Sequence, residues 1–253
     1  MLNKVKPLLE KALQIDPQLS FTHTNLGWSK LWFEWDTKTA EKEFTIAHNI
    51  DPSDVLCIRG NVFLNLYTGN IEKANRWLQK GLAVSPHDIW LAPLHGMLLF
   101  FESRTDEAIF LLLQSIVTHD HILSYSRLGW VYDLIGDYKK AVATLEQGLQ
   151  KYNVRRAAIL GWLAIGYHQN GDTEKASEIF AELESYVDAG KPNNAFYTAV
   201  AYAFVGKTDD AFRLLEKSYE MHDLDFLWLK TEPMLGSINQ DPRYKALLKK
   251  AGF

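Results

Sequence analysis

With 253 residues, 47% of them hydrophobic, the chain is long and apolar enough to build a continuous core, which excludes a mainly disordered protein. Its net charge of −4, with basic and acidic residues interspersed, leaves no electrostatic footprint for nucleic acid or an anionic membrane. A single cysteine, Cys57, excludes an intramolecular disulfide and a cysteine-based zinc site, and fits a reducing, cytoplasmic setting.

The first segment, "MLNKVKPLLEKALQ", predicts an amphipathic helix interrupted by Lys and Glu, without the apolar run and small-residue cleavage site of a signal peptide. Val5, Leu9 and Ala12 open a pattern that then recurs along the chain. It is a small residue followed by a large one four positions on, with a third apolar or small residue seven on: Ala40 with Phe44 and Ala47, Ala74 with Leu78 and Gly81, Ala108 with Leu112 and Ser115. Ala141 with Leu145 and Gly148, Ala176 with Phe180 and Leu183, and Ala211 with Leu215 and Ser218 complete the set. Successive anchors lie 35, 34, 34, 33, 35 and 35 residues apart, a period that chance does not produce. The most apolar stretch, Ile89 to Phe101, contains Pro93 and His95 and is too short to span a bilayer.

Five residues before the anchors stand Gly69, Ser103, Gly136, Gly171 and Gly206, with Asp36 near the matching place in the first full unit. Glycine there supplies the positive φ that stops a helix, and the residue after it, Asn70, Asp137 or Asp172, helps start the next one. Twelve residues after the anchors come Pro17, Pro52, Pro86, Asp120, Asn153 and Asp188, which end helices. Each unit therefore predicts two antiparallel helices with short links.

Tyr125-x2-Leu128-Gly129-x2-Tyr132, followed by Ala141, Leu145 and Asn153, resembles the tetratricopeptide repeat, whose helix–turn–helix signature has this period. The resemblance covers residues 1–222, as a half repeat over 1–17 and about six repeats after it, and implies an all-α, right-handed solenoid. Single units drift: Val62 stands where Gly96 and Gly129 stand in theirs, with Gly60 displaced by two, and one extra residue precedes Ala40. The half repeat at the start leads us to expect the C-terminal part of something longer. The final segment, 223–253, breaks the period, and Asp241-Pro242 with Tyr244, Leu247 and Leu248 predicts a capping helix ending at Gly252. Its "INQDPRYKALLKKAGF" is similar to the ending of tetratricopeptide regions in bacterial signalling proteins, where the repeats follow a DNA-binding regulator, a class III nucleotide cyclase or a kinase.

No phosphate loop, HExxH or nucleophile elbow is present, so the reading is non-catalytic, with no cofactor. In "THDHI", His119, Asp120 and His121 occupy successive positions in a link and point apart, which suits turn and cap roles better than metal binding. Glu41 and Glu43, like Glu182 and Glu184, read as solubilising charges on outer helices.

The resemblance further implies that the first helix of each unit lines a concave groove. Its groove positions hold Trp28, Trp32, Arg59, Phe63, Tyr67, Trp90, Met97, Phe101, Arg127, Trp130, Trp162 and Phe196, an aromatic and mostly uncharged set. About half of these aromatics are expected to fill the core, and the rest to bind an apolar or aromatic segment of a protein partner, or of the chain's own effector domain. Binding is expected to centre on Phe63, Trp90, Phe101, Trp130 and Trp162, with Arg59 and Arg127 orienting the partner. The pairs Thr24/Trp28, Arg59/Phe63 and Ser126/Trp130 stand where a carboxylate-clamping repeat carries Lys and Asn, which disfavours recognition of chaperone tails. The function expected is that of a non-catalytic interaction and sensing module, the C-terminal regulatory part of a bacterial transcriptional regulator. The alternatives are the tail of a cyclase or kinase and a sensor of a small apolar ligand.

Overall fold

Every anchor from Ala40 to Ala211 is buried, and so is the large residue four positions after it. The periodic pattern is thus the contact seam of a helical stack. The computed structural model describes residues 2–252, and side chains from residue 7 onward, so the Val5 anchor lies outside the described side chains. Among the described residues there are fourteen α-helices and no strands. They are α1 (Leu2–Ile15), α2 (Ser20–Phe33), α3 (Thr37–Ile50), α4 (Val55–Thr68), α5 (Ile71–Val84), α6 (Leu91–Phe101) and α7 (Thr105–His119). There follow α8 (Ile122–Leu134), α9 (Tyr138–Tyr152), α10 (Ala157–Gln169), α11 (Thr173–Asp188), α12 (Ala195–Phe204), α13 (Thr208–Glu220) and α14 (Pro242–Ala251). Two 3-10 turns, Leu224–Trp228 and Pro233–Ser237, separate α13 from α14. The helices form two compact units, one up to Leu94 and one from His95 onward.

In the first unit α2 pairs with α3 and α4 with α5; in the second α8 pairs with α9, α10 with α11 and α12 with α13. Close approach within a pair depends on glycine. At Gly27 an added Cβ would stand 2.5 Å from Phe44, and at Gly96 the same distance from Leu112. Gly60 explains the drift in its unit: it faces the same Phe44 ring, which α2 and α4 both approach closely. The glycine therefore serves the preceding unit.

The links behave as their residues require. Gly69, Gly136, Gly171 and Gly206 have φ between 79° and 84°, and Ser103 takes the same left-handed region at 62°. In the first hairpin the positive φ falls on Trp35, at 52°, and not on Asp36, which instead caps α3 by accepting from Thr39 N at 3.0 Å. The extra residue there widens the turn: Asp36 N donates to Lys30 O, six residues back, whereas Asn70 N, Asp137 N and Asp172 N reach five back. Asp137 and Asp172 cap the next helix as expected, while Asn70 makes no side-chain cap bond and donates to Thr68 Oγ1. Asp120 and Asn153 end their helices in the left-handed region, and α11 runs through Asp188 to a positive φ at Gly190.

Cys57 is buried, donates to Phe44 O at 3.2 Å, and its thiol is pushed up to about 12 by that burial. The carboxylates read as solubilising do more than that. Glu43 accepts from His23 at 2.7 Å and Glu184 from Tyr202 Oη at 3.0 Å, while Glu41 meets Lys73 and Glu182 meets Arg155, so each ties one helix to another element. Helical periodicity places these residues on the surface; only the stacking of neighbours decides that a partner stands opposite. Asp120 likewise accepts from Lys151 at 2.5 Å and Tyr152 at 2.6 Å.

Candidate partner-binding surfaces

In the first unit, Phe21, Asn25, Trp28 and Trp32 recur along α2 at helical spacing, so they form one stripe. Trp28 is buried and donates its indole N–H to Leu56 O at 3.2 Å, which locks it against α4. Its ring lies 4.2 Å from that of Trp32 and 5.8 Å from that of Phe63, and Phe63 lies 5.8 Å from Tyr67. Tyr67 is buried; Trp32, Phe63 and Trp90 are half-buried, and Phe21 is 64% exposed. Arg59 stands 3.9 Å from Asp88, whose other carboxylate oxygen caps the start of α6 through Trp90 N and Leu91 N. The result is a graded aromatic face, buried at Trp28 and Tyr67 and open toward Trp32, Phe63 and Phe21.

The second unit differs. Met97, Trp130, Trp162 and Phe196 are 0–1% exposed, so they are core side chains and offer a partner no surface. This corrects the expected binding centre at Trp130 and Trp162. At Trp130 the physical reason is a segment that periodicity alone could not place, while Trp162 is covered from α12, with its ring 5.2 Å from that of Tyr197. Glu232, in the stretch between the two 3-10 turns, reaches Trp130 Nε1 at 3.1 Å across 102 positions of sequence. Arg127, expected to orient a partner, stands 5.7 Å from the ring of Trp228 in the same segment. Phe101 remains half-buried, with its ring 5.8 Å from that of Trp130.

The electrostatics of this region also went unread in the sequence. Burial pushes the Glu232 carboxyl from its ordinary 4.5 up to about 7, and burial together with the nearby charge of Asp223 pushes Asp225 up to about 7. Asp223, which is buried, is raised by the same cause. Asp133 on α8 is fully buried with neither oxygen bonded among the described residues, and burial holds its carboxyl well above the usual range. A periodic reading of α8 offers no signal for it, because it sits among residues that are buried on every side.

A raised carboxyl means that the folded state keeps a proton the unfolded chain releases, so its contribution is present below about pH 4.5 and is lost as pH rises to about 7. His48, His95 and His121 are held low by burial and act in the opposite sense. Glu232→Gln isolates the carboxyl, since the amide oxygen still accepts from Trp130 and Met234 N. Relative to wild type, the variant is expected to gain about 2 kcal/mol between about pH 5.5 and pH 8 in denaturant titrations. A constant difference across that range would show that Glu232 does not titrate there.

The fold defined by these hairpins is that of the tetratricopeptide repeat, and the model of that family, "Tetratricopeptide repeat", matches residues 122–150, which are α8 and most of α9. Among solved structures the chain is similar to PilW, a type IV pilus biogenesis factor, at 17% identity and a TM-score of 0.61, over 91% of this chain and 99% of that one. It is also similar to the Cut9–Hcn1 hetero-tetramer of the APC/C, at 16% identity and a TM-score of 0.69, covering 99% of this chain but 46% of that one. A third is a tetratricopeptide-repeat protein of Thermus thermophilus, at 20% identity and a TM-score of 0.57, over 64% of this chain and 89% of that one. At these identities the likeness is one of fold. A comparison with curated proteins finds no match. No helix among the described residues is long and apolar enough to cross a membrane.

Proposed function

We propose that the chain is a non-catalytic protein-interaction module whose first unit holds an apolar, aromatic segment of a protein partner. The observation that carries this reading is the graded face of α2 and α4, where Trp32, Phe63 and Phe21 stand accessible on a rigid base formed by Trp28 and Tyr67. Rigid aromatics beside one oriented cation, here Arg59 against Asp88, are the usual make-up of a binding hot spot. Covering two or three such rings is worth several kcal/mol, on the order of micromolar affinity after association costs. The similarity of the C-terminal stretch to the ending of bacterial signalling proteins supports a cytoplasmic, regulatory setting, with a transcription factor as the first effector to consider. In that setting, occupancy of the face shifts the module between two arrangements that bind the partner unequally.

The test uses peptides selected from a phage-displayed random library on the whole chain. Trp32→Ala and Phe63→Ala are each expected to weaken the selected peptides by about tenfold or more while melting stays near native. Phe110→Ala, at a residue 70% exposed on the outer helix α7, is expected to leave binding unchanged. Selected peptides indifferent to both inner-face changes would overturn the reading.

A further inference from the structure

The second unit carries its own occupant. Asp223 accepts from Phe196 N at 3.2 Å at the start of α12, Leu224 N donates to Asn193 Oδ1 at 3.1 Å, and Ser237 Oγ donates to Ala203 O at 3.0 Å near the end of the same helix. Glu232 meanwhile reaches Trp130 on α8. Residues 223–240, folded as two 3-10 turns, thus leave the start of α12, reach α8 at Glu232 and return to the end of α12, so one short segment ties two first helices of the stack. We propose that residues 223–240 are a displaceable intramolecular ligand, seated on the first helices of the second unit until a partner segment of the same chemistry, apolar and acidic, takes their place.

The composition of the segment supports this. Phe226, Leu227, Leu229 and Leu235 bury apolar side chains, as any seal over a last repeat would. Asp223 and Glu232 cap the two 3-10 turns, yet both carboxylates are buried, and Asp225 is partly buried, whereas an exposed cap keeps its water. The bonds that reach Asp223 and Glu232 come from neutral donors, backbone N–H groups and an indole, which only partly offset the loss of water around a carboxylate. Thr231 Oγ1 within the segment and Trp162 Nε1 on α10 are buried without a hydrogen-bond partner among the described residues. The seat is therefore less well satisfied than an apolar cap of equal area, and a competitor that satisfies these groups gains over it. Its recognition elements are the ones the chain already uses: a carboxylate for Trp130 Nε1 and an aromatic ring for Arg127, flanked by apolar side chains. This surface lies in the second unit, so its success or failure is independent of the reading given for the first.

The experiment has two arms, both on the full chain. Hydrogen exchange of the wild type is expected to show amides of residues 224–240 opening at least about tenfold faster than those in the middle of α8, α10 and α12. Exchange of the segment in step with those helices would overturn the proposal by making it part of the core. In the second arm, a fluorescein-labelled peptide of residues 223–240 is titrated into wild type and Trp228→Ala, which loosens the resident segment and leaves its seat intact. The variant is expected to bind the peptide at least about tenfold more tightly than wild type, because the competing state is less populated. Equal affinity, or no binding to either, would overturn it, and the exchange arm stands even where the variant does not fold.

Discussion

Replacing Trp130 by alanine is expected to lower stability by about 3–5 kcal/mol, the cost of emptying a fully enclosed aromatic site. The indole is 1% exposed, with its ring 5.3 Å from Phe100 and 5.8 Å from Phe101, and its N–H is the donor that holds Glu232. Truncation therefore does two things at once: it opens a cavity, and it leaves the buried Glu232 with Met234 N as its remaining donor of those two. The melting temperature is expected to fall by roughly 10 °C or more for a chain of this size. Phe101→Ala, at a half-buried ring on the same cluster, is expected to cost distinctly less. Chemical denaturation of both variants checks the order. Near-native stability of Trp130→Ala would mean that the indole is a surface group and that the segment around Glu232 is not seated on it.

A comparable loss, about 3–5 kcal/mol, is expected for Phe44→Ala in the first unit. Its ring is fully buried between Gly27 on α2 and Gly60 on α4, two positions where the backbone approaches too closely for a side chain. Helices cannot collapse readily onto the vacated volume, because Trp28, whose ring lies 5.6 Å from that of Phe44, also holds them apart. The converse substitution, Gly60→Ala, is expected to destabilise by about 1–3 kcal/mol through overpacking against the same ring. Combined, Phe44→Ala with Gly60→Ala should cost less than the sum of the two single changes, since the added methyl then enters the space the ring has left. Strict additivity in a double-mutant cycle would show that Gly60 does not face Phe44.

The period and what it implies were legible in the residues. An anchor that must be small and a large neighbour one helical turn on are local demands that hold from Ala40 to Ala211, and glycine takes the positive φ at Gly69, Gly136, Gly171 and Gly206, with Trp35 and Ser103 taking it in the other two links. The terminal helix could be read the same way: Asp241 accepts from Arg243 N at 2.8 Å, Tyr244 and Leu247 are buried, and Gly252 closes the helix in the left-handed region. So could the aromatic character of the first helices, because helical spacing puts Trp28 and Trp32, or Phe63 and Tyr67, on one stripe.

Which of those aromatics remain open was decided by tertiary structure alone. Periodicity gives Phe63 and Trp130 equivalent roles, yet one is half-buried and the other enclosed, because burial depends on what arrives from elsewhere in the chain. The stretch from Asp223 to Gln240 has no repeat period to announce its place, and its contacts with Trp130, Phe196 and Ala203 span 27 to 102 positions of sequence. The same holds for Asp225 and Glu232, whose carboxyls are raised by a desolvation that exists only once the segment is seated. Local chemistry therefore determined the helices, their caps and their pairing, while the accessible surface was set by non-local packing, which no spacing of residues along one helix encodes.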